Sequence, residues 1–94
     1  PSITIEADKK DVQMNLMNPE GNPCYFTFEI VLNDTDETIY TSKMVEPGKA
    51  ITEVTLDKAL AAGEYPATIK ITTASLTDGS AMNGANVETT IIAQ

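Results

Sequence analysis

The chain has 94 residues and 10.1 kDa, room for one domain over 1–94, and its 41% hydrophobic and 5% aromatic content suits a thin two-layer core without a deep cleft. Acids outnumber bases 14 to 6, a formal charge of −8; His, Arg and Trp are absent, and Cys24 is the single cysteine. That excludes Ser-His-Asp and Cys-His nucleophile systems, His-ligated metals, an intrachain disulfide and Cys-based metal sites, and so acidic a chain repels phosphate backbones, so no nucleic acid is expected as a partner.

Alternation of apolar and polar residues begins at once. Ile3, Ile5 and Ala7 alternate with Thr4 and Glu6; beyond Asp8-Lys9-Lys10-Asp11, Val12, Met14 and Leu16 alternate with Gln13 and Asn15. Asn18-Pro19-Glu20-Gly21-Asn22-Pro23 is a loop by its turn residues. The strongest strand signal follows, with Cys24, Phe26, Phe28, Ile30 and Leu32 on one face and Tyr25, Thr27, Glu29, Val31 and Asn33 on the other. The polar turn Asn33-Asp34-Thr35-Asp36-Glu37 precedes a strand over 38–44, Pro47-Gly48 is a turn, and 50–56 is a strand with Val54 and Leu56 inward.

Residues 57–62 are the one helix candidate, of one or two turns, stopped by Gly63. The stretch 64–74 puts Tyr65, Ala67, Ile69 and Ile71 on one side. A polar loop containing Asp78-Gly79 and a tight turn at Asn83-Gly84 then leads to a last strand in which Val87, Thr89 and Ile91 alternate with Glu88, Thr90 and Ile92.

Seven strand candidates separated by turns, with no amphipathic helices between them, predict an all-β fold: an antiparallel Ig-like β-sandwich of about seven strands in two sheets. Leu60-Ala61-Ala62-Gly63-Glu64-Tyr65 fits the tyrosine corner of such sandwiches, with Tyr65 buried and its hydroxyl bonded a few residues upstream. Ala67 stands where antibody domains carry their second cysteine.

The runs Asn22-Pro23-Cys24-Tyr25-Phe26, Glu46-Pro47-Gly48-Lys49-Ala50-Ile51, Ala62-Gly63-Glu64-Tyr65, Leu76-Thr77-Asp78-Gly79 and Met82-Asn83-Gly84-Ala85-Asn86-Val87 resemble a small domain of uncharacterised Gram-positive bacterial cell-envelope proteins, over residues 3–92. The resemblance implies an Ig-like sandwich held outside the membrane, on the cell surface or secreted, with any anchor or signal upstream of Pro1. It brings no activity and no catalytic residues. More distantly, Leu-x-x-Gly-x-Tyr is similar to a corner of bacterial proteinase-inhibitor-like and accessory sandwich domains. No run approaches the roughly 18 apolar residues of a membrane span, so this domain is not expected to insert into a membrane.

Asp34, Asp36 and Glu37 are read as a solvated turn, because a hard cation needs six to eight oxygens; Asp57 and Glu64 are read likewise. Carboxylate pairs occur by accident among so many acids, and no aromatic platform accompanies them, so no enzyme activity and no cofactor is expected. Cys24, on the apolar face, reads as an inert buried thiol. Tyr25, Val31, Tyr40 and Met44 form the candidate partner patch on the face opposite the core or at its edge. The function expected is a non-catalytic extracytoplasmic interaction or structural module, monomeric or weakly dimeric, whose partner is an unidentified protein or cell-wall component. A carbohydrate-binding module and a proteinase-inhibitor-like module, presenting a rigid loop over 18–23, are the alternatives.

Overall fold

In the computed structural model, which describes residues 2–94 and, of Met82 and Asn83, the backbone alone, the alternating segments become seven strands. They are β1 Ser2–Ile5, β2 Asp11–Met17, β3 Cys24–Leu32, β4 Glu37–Thr41, β5 Ala50–Thr55, β6 Gly63–Ser75 and β7 Ala81–Ala93. What precedes Pro1, and Pro1 itself, lie outside the described residues. One sheet has the order β1-β7-β6-β3-β4 and the other pairs β2 with β5. The fold is all-β and sandwich-like, but it is not purely antiparallel. β1 lies parallel to β7, with Ser2 beside Thr90 and Ile5 beside Ala93. Parallel neighbours cannot be joined by a hairpin, and these two strands stand at opposite ends of the chain.

Alternation places the core. Val12, Met14, Leu16 and Val54 of the small sheet face Phe28, Ile30, Leu32, Ala67, Ile69 and Ile91 of the large one, and Ile5, Ile39, Val45, Leu56, Leu60 and Ala93 complete the cluster. The apolar face expected on β3 is the one that is buried. Its register with β6 is continuous from Cys24 opposite Ser75 to Leu32 opposite Ala67.

Residues 57–62 form no helix. Their backbone groups are spent on distant partners: Asp57 N donates to Ile39 O at 2.7 Å, Leu60 O accepts from Asp8 N at 2.7 Å, and Ala61 O accepts from Tyr65 Oη at 2.6 Å. Helix propensity over so short a run is weak against that competition. Tyr65 thus makes the upstream bond expected of it, but its ring is half-buried, packed against the core rather than sealed within it.

The strand expected over 38–44 stops at Thr41. Ser42 Oγ accepts from Phe28 N at 2.8 Å while Ser42 N donates to Phe28 O, so a side chain takes a place in the ladder, and the chain rejoins the sheet only at Val45 opposite Phe26. A bulge within β4 skips Ile39 between the pairs Ile30–Tyr40 and Val31–Thr38. It turns both Ile39, fully buried, and Tyr40 toward the core.

Asn83-Gly84 is not a turn before the last strand. The chain turns at residues 76–78, with Gly79 at φ 73°, and Gly84 lies inside β7 beside a register shift against Ile71 and Thr73. A Cβ on Gly84 would overlap the Ile71 carbonyl oxygen, so the close approach of two backbones requires glycine there.

Candidate functional site

The two-stranded sheet covers one face of the five-stranded one. On the opposite face, register aligns Thr27 with Thr72, Glu29 with Thr41, Lys70 and Asn86, and Val31 with Thr38, Thr68 and Glu88. These rows make a polar, threonine-rich platform across four strands, in which the opposite charges of Glu29 and Lys70 stand side by side. Thr68 Oγ1 donates to Asn33 Oδ1 at 2.7 Å. Tyr25, half-buried, stands at the β3 end of this face in register with Ala74.

The four residues of the expected partner patch are not brought together as one open surface. Val31 is on the platform side but only 4% exposed, on β3 between β6 and β4. Tyr40 is turned inward by the β4 bulge and packs against the core, and its burial pushes the phenol above its ordinary value. Met44 is 58% exposed in the segment that follows Ser42. Of the four, Tyr25 and Met44 remain available to a partner.

Asn18, a loop residue by its sequence context, has a larger role. It is fully buried, its Nδ2 donates to Cys24 O at 2.9 Å and Val45 O at 2.8 Å, and its Oδ1 accepts from Asn22 Nδ2 at 2.8 Å. Its backbone N–H donates to Lys49 O and its carbonyl accepts from Gly48 N. The side chain therefore ties loop 18–23 to the start of β3 and to Val45, and the backbone of the same residue holds the turn at Pro47-Gly48, while Pro19, Glu20, Gly21 and Pro23 stay exposed. An asparagine between strand and prolines carries no pattern that separates a buried clamp from a solvated turn residue.

Several of the charged groups have partners within the chain. Glu37, expected in the acidic turn, is bonded by Lys58 Nζ at 2.7 Å, and Asp36 takes a left-handed φ of 56°. Lys9 Nζ lies 2.7 Å from Glu6 Oε2, and the hydrogen bond lowers the Glu6 carboxyl and raises the Lys9 ammonium. The backbone N–H of Ser80 donates to Asp78 and holds its carboxyl below the usual range. Among the described residues, no group of three or more His, Cys, Asp or Glu side chains is placed to hold a metal ion.

The three tyrosines form no sugar platform: Tyr25 is on the polar face, Tyr40 packs inward, and the Tyr65 hydroxyl is tied to Ala61. A hollow of 270 Å³ beside Tyr65 is lined by Leu32, Lys58, Leu60 and Pro66, but the Lys58 ammonium is already engaged by Glu37. Cys24 is buried, outside the main core cluster. No helix among the described residues is long and apolar enough to cross a membrane. Comparison with known proteins finds no matching family model and no matching curated protein.

Proposed function

We propose that this chain is an Ig-like sandwich acting as a non-catalytic interaction or structural module of an extracytoplasmic envelope protein. Two features support the Ig-like assignment. The neighbours β7-β6-β3 beside a separate β2-β5 pair correspond to the G-F-C and B-E strands of that architecture, and Tyr65 bonds back to Ala61 at the start of the strand equivalent to F. Ala67, fully buried two residues on, replaces the cysteine of antibody domains.

The observation that carries the functional reading is the platform of Thr27, Thr72, Thr68, Glu29, Lys70 and Tyr25, a multi-strand face that no other described strand covers. Side chains on a sheet are held rigidly, which limits the entropy lost when a partner docks. The test is cosedimentation of the purified chain with Gram-positive cell envelopes. Binding should exceed that of an unrelated acidic sandwich protein and fall when Thr27→Lys and Thr72→Lys are introduced together at unchanged Tm. Equal binding by control, parent and variant would sink the reading.

One observation favours a second reading. The exposed loop 18–23 is pinned from beneath by Asn18, as a proteinase-inhibitor-like loop must be. Dose-dependent inhibition of a proteinase panel, abolished by Asn18→Ala, would select it; absence of inhibition across the panel would remove it.

A further inference from the structure

Sheet edges expose rows of unpaired backbone donors and acceptors, and natural chains blunt them with brevity, lysine, proline, bulges or charge. Most edges here are blunted. β1 has four residues, β4 has five with a bulge at Ile39 and Lys43 just beyond, β2 carries a register shift, and β5 carries Glu53 and follows Pro47 and Lys49.

β7 is different. β1 accompanies it only over Thr90–Ala93, so residues 81–88 have no strand on the side away from β6 among the described residues. That stretch contains no proline and no lysine, and its one charge is Glu88. Past the irregularity at Gly84, residues 85–88 run in regular register with Lys70 to Thr68 and Ile71. On the core side Val87 is 40% exposed beside Ile69, with Ala85 beside half-buried Ile71. On the other side Glu88 has Thr68 opposite it, and Lys70, the nearest lysine in register, faces Glu29.

We propose that this edge of β7 accepts an added strand from another polypeptide, an extended segment with apolar residues alternating with lysine or arginine. Successive side chains of such a strand point to opposite faces, so the apolar ones cover Val87 and Ala85 while the cationic ones meet Glu88 and the field of a chain of net charge −8. β1 marks the end of the vacancy, which limits the added strand to about the length of the open stretch. The inference rests on the interaction-module reading and adds to its platform a second surface, the β7 edge, with the chemistry of the partner that would take it.

The probe is an acetylated and amidated octapeptide of alternating lysine and valine, with a control of the same composition ordered as four lysines then four valines. Backbone amide shifts and hydrogen exchange of the intact labelled chain are followed during titration. The alternating peptide should protect amides within 85–88 and bind at least tenfold more tightly than the control. Val87→Lys and, separately, Asn86→Lys should each weaken it at least tenfold at unchanged Tm. Equal affinity for both peptides would reduce the effect to charge alone and overturn the proposal, as would protection confined to β4 or β5. Concentration-dependent dimerisation that protects 85–88 without peptide would overturn it in favour of a second copy. Envelope binding that survives Val87→Lys, with no peptide binding by the parent chain, sinks the edge and leaves the module reading standing.

Discussion

Replacing Asn18 tests whether one buried amide holds together the end of the sandwich that carries loop 18–23. Asn18→Ala removes the donors to Cys24 O and Val45 O and the acceptor for Asn22 Nδ2 at a site without solvent exposure. A buried group left unsatisfied costs about 1–3 kcal/mol. Val45 O keeps a second donor, Phe26 N at 3.0 Å, and Asn22 is only half-buried and can turn to water. That leaves Cys24 O as the group that loses its donor, so the loss is about 2 kcal/mol, against a total stability of roughly 5–15 kcal/mol for a domain. For a chain this short that lowers Tm by roughly 10 °C.

Asn18→Asp keeps the shape but points carboxylate lone pairs at two carbonyl oxygens. At pH 7 it should be worse than alanine. Protonation restores one O–H donor, so the folded-state pKa of this carboxyl is raised above its unfolded value near 3.9. The folded state then binds more protons than the unfolded one, and stability rises as pH falls from 7 toward the unfolded pKa. Urea denaturation at pH 7 and pH 5 measures both effects. An alanine variant within 1 kcal/mol of the parent, or an aspartate variant whose loss does not shrink at pH 5, would refute the clamp.

Tyr65→Phe should cost about 1 kcal/mol by urea midpoint, from the lost bond to Ala61 O, while the ring keeps its packing; an unchanged midpoint would count against the corner. Gly84→Ala should destabilise by about 2 kcal/mol or more, because its Cβ meets the Ile71 carbonyl within a strand; wild-type stability would mean the two backbones are farther apart. Cys24, 8% exposed, should react slowly with a thiol reagent in native buffer and fast in denaturant, and fast native labelling would move β3 out of register by one residue. Glu6 and Asp78 should titrate below their ordinary carboxyl values by NMR; their stabilising contribution is present at neutral pH and lost as pH falls through their depressed folded values.

What the sequence carried best was alternation over unbroken strands. From Phe26 to Leu32 and from Tyr65 to Ile71 the apolar period of two matches the side that packs on the core, with Val31 buried on the other side as well, because there each residue's side follows from its neighbour's. That inference fails wherever the register slips. The expected partner patch puts Tyr40 on the face opposite the core or at its edge, whereas the extra residue at Ile39 turns it inward. The turn assigned to Asn83-Gly84 missed a second slip, where glycine is demanded by a neighbouring backbone rather than by a bend. Bulges depend on pairing with a strand elsewhere in the chain, so local composition does not encode them.

The same logic explains the candidate site. Turn residues mark 18–23 as a loop, but that signal assigns the same character to Pro19, outside, and to Asn18, completely inside. What separates them is the presence of carbonyls of Cys24 and Val45 within reach of one amide, and Val45 is brought there only because Ser42 has ended the β4 ladder early and let the chain return to Phe26. A hydroxyl, a bulge and an amide thus act in sequence on one corner of the sandwich. Removing the Ser42 hydroxyl should accordingly weaken the Asn18 clamp. In a double-mutant cycle with Asn18→Ala, Ser42→Ala should show a coupling of at least 0.5 kcal/mol, the lower end for residues sharing one network. Strict additivity would mean that the two side chains hold the corner independently, and that the early end of β4 is not what brings Val45 to the amide.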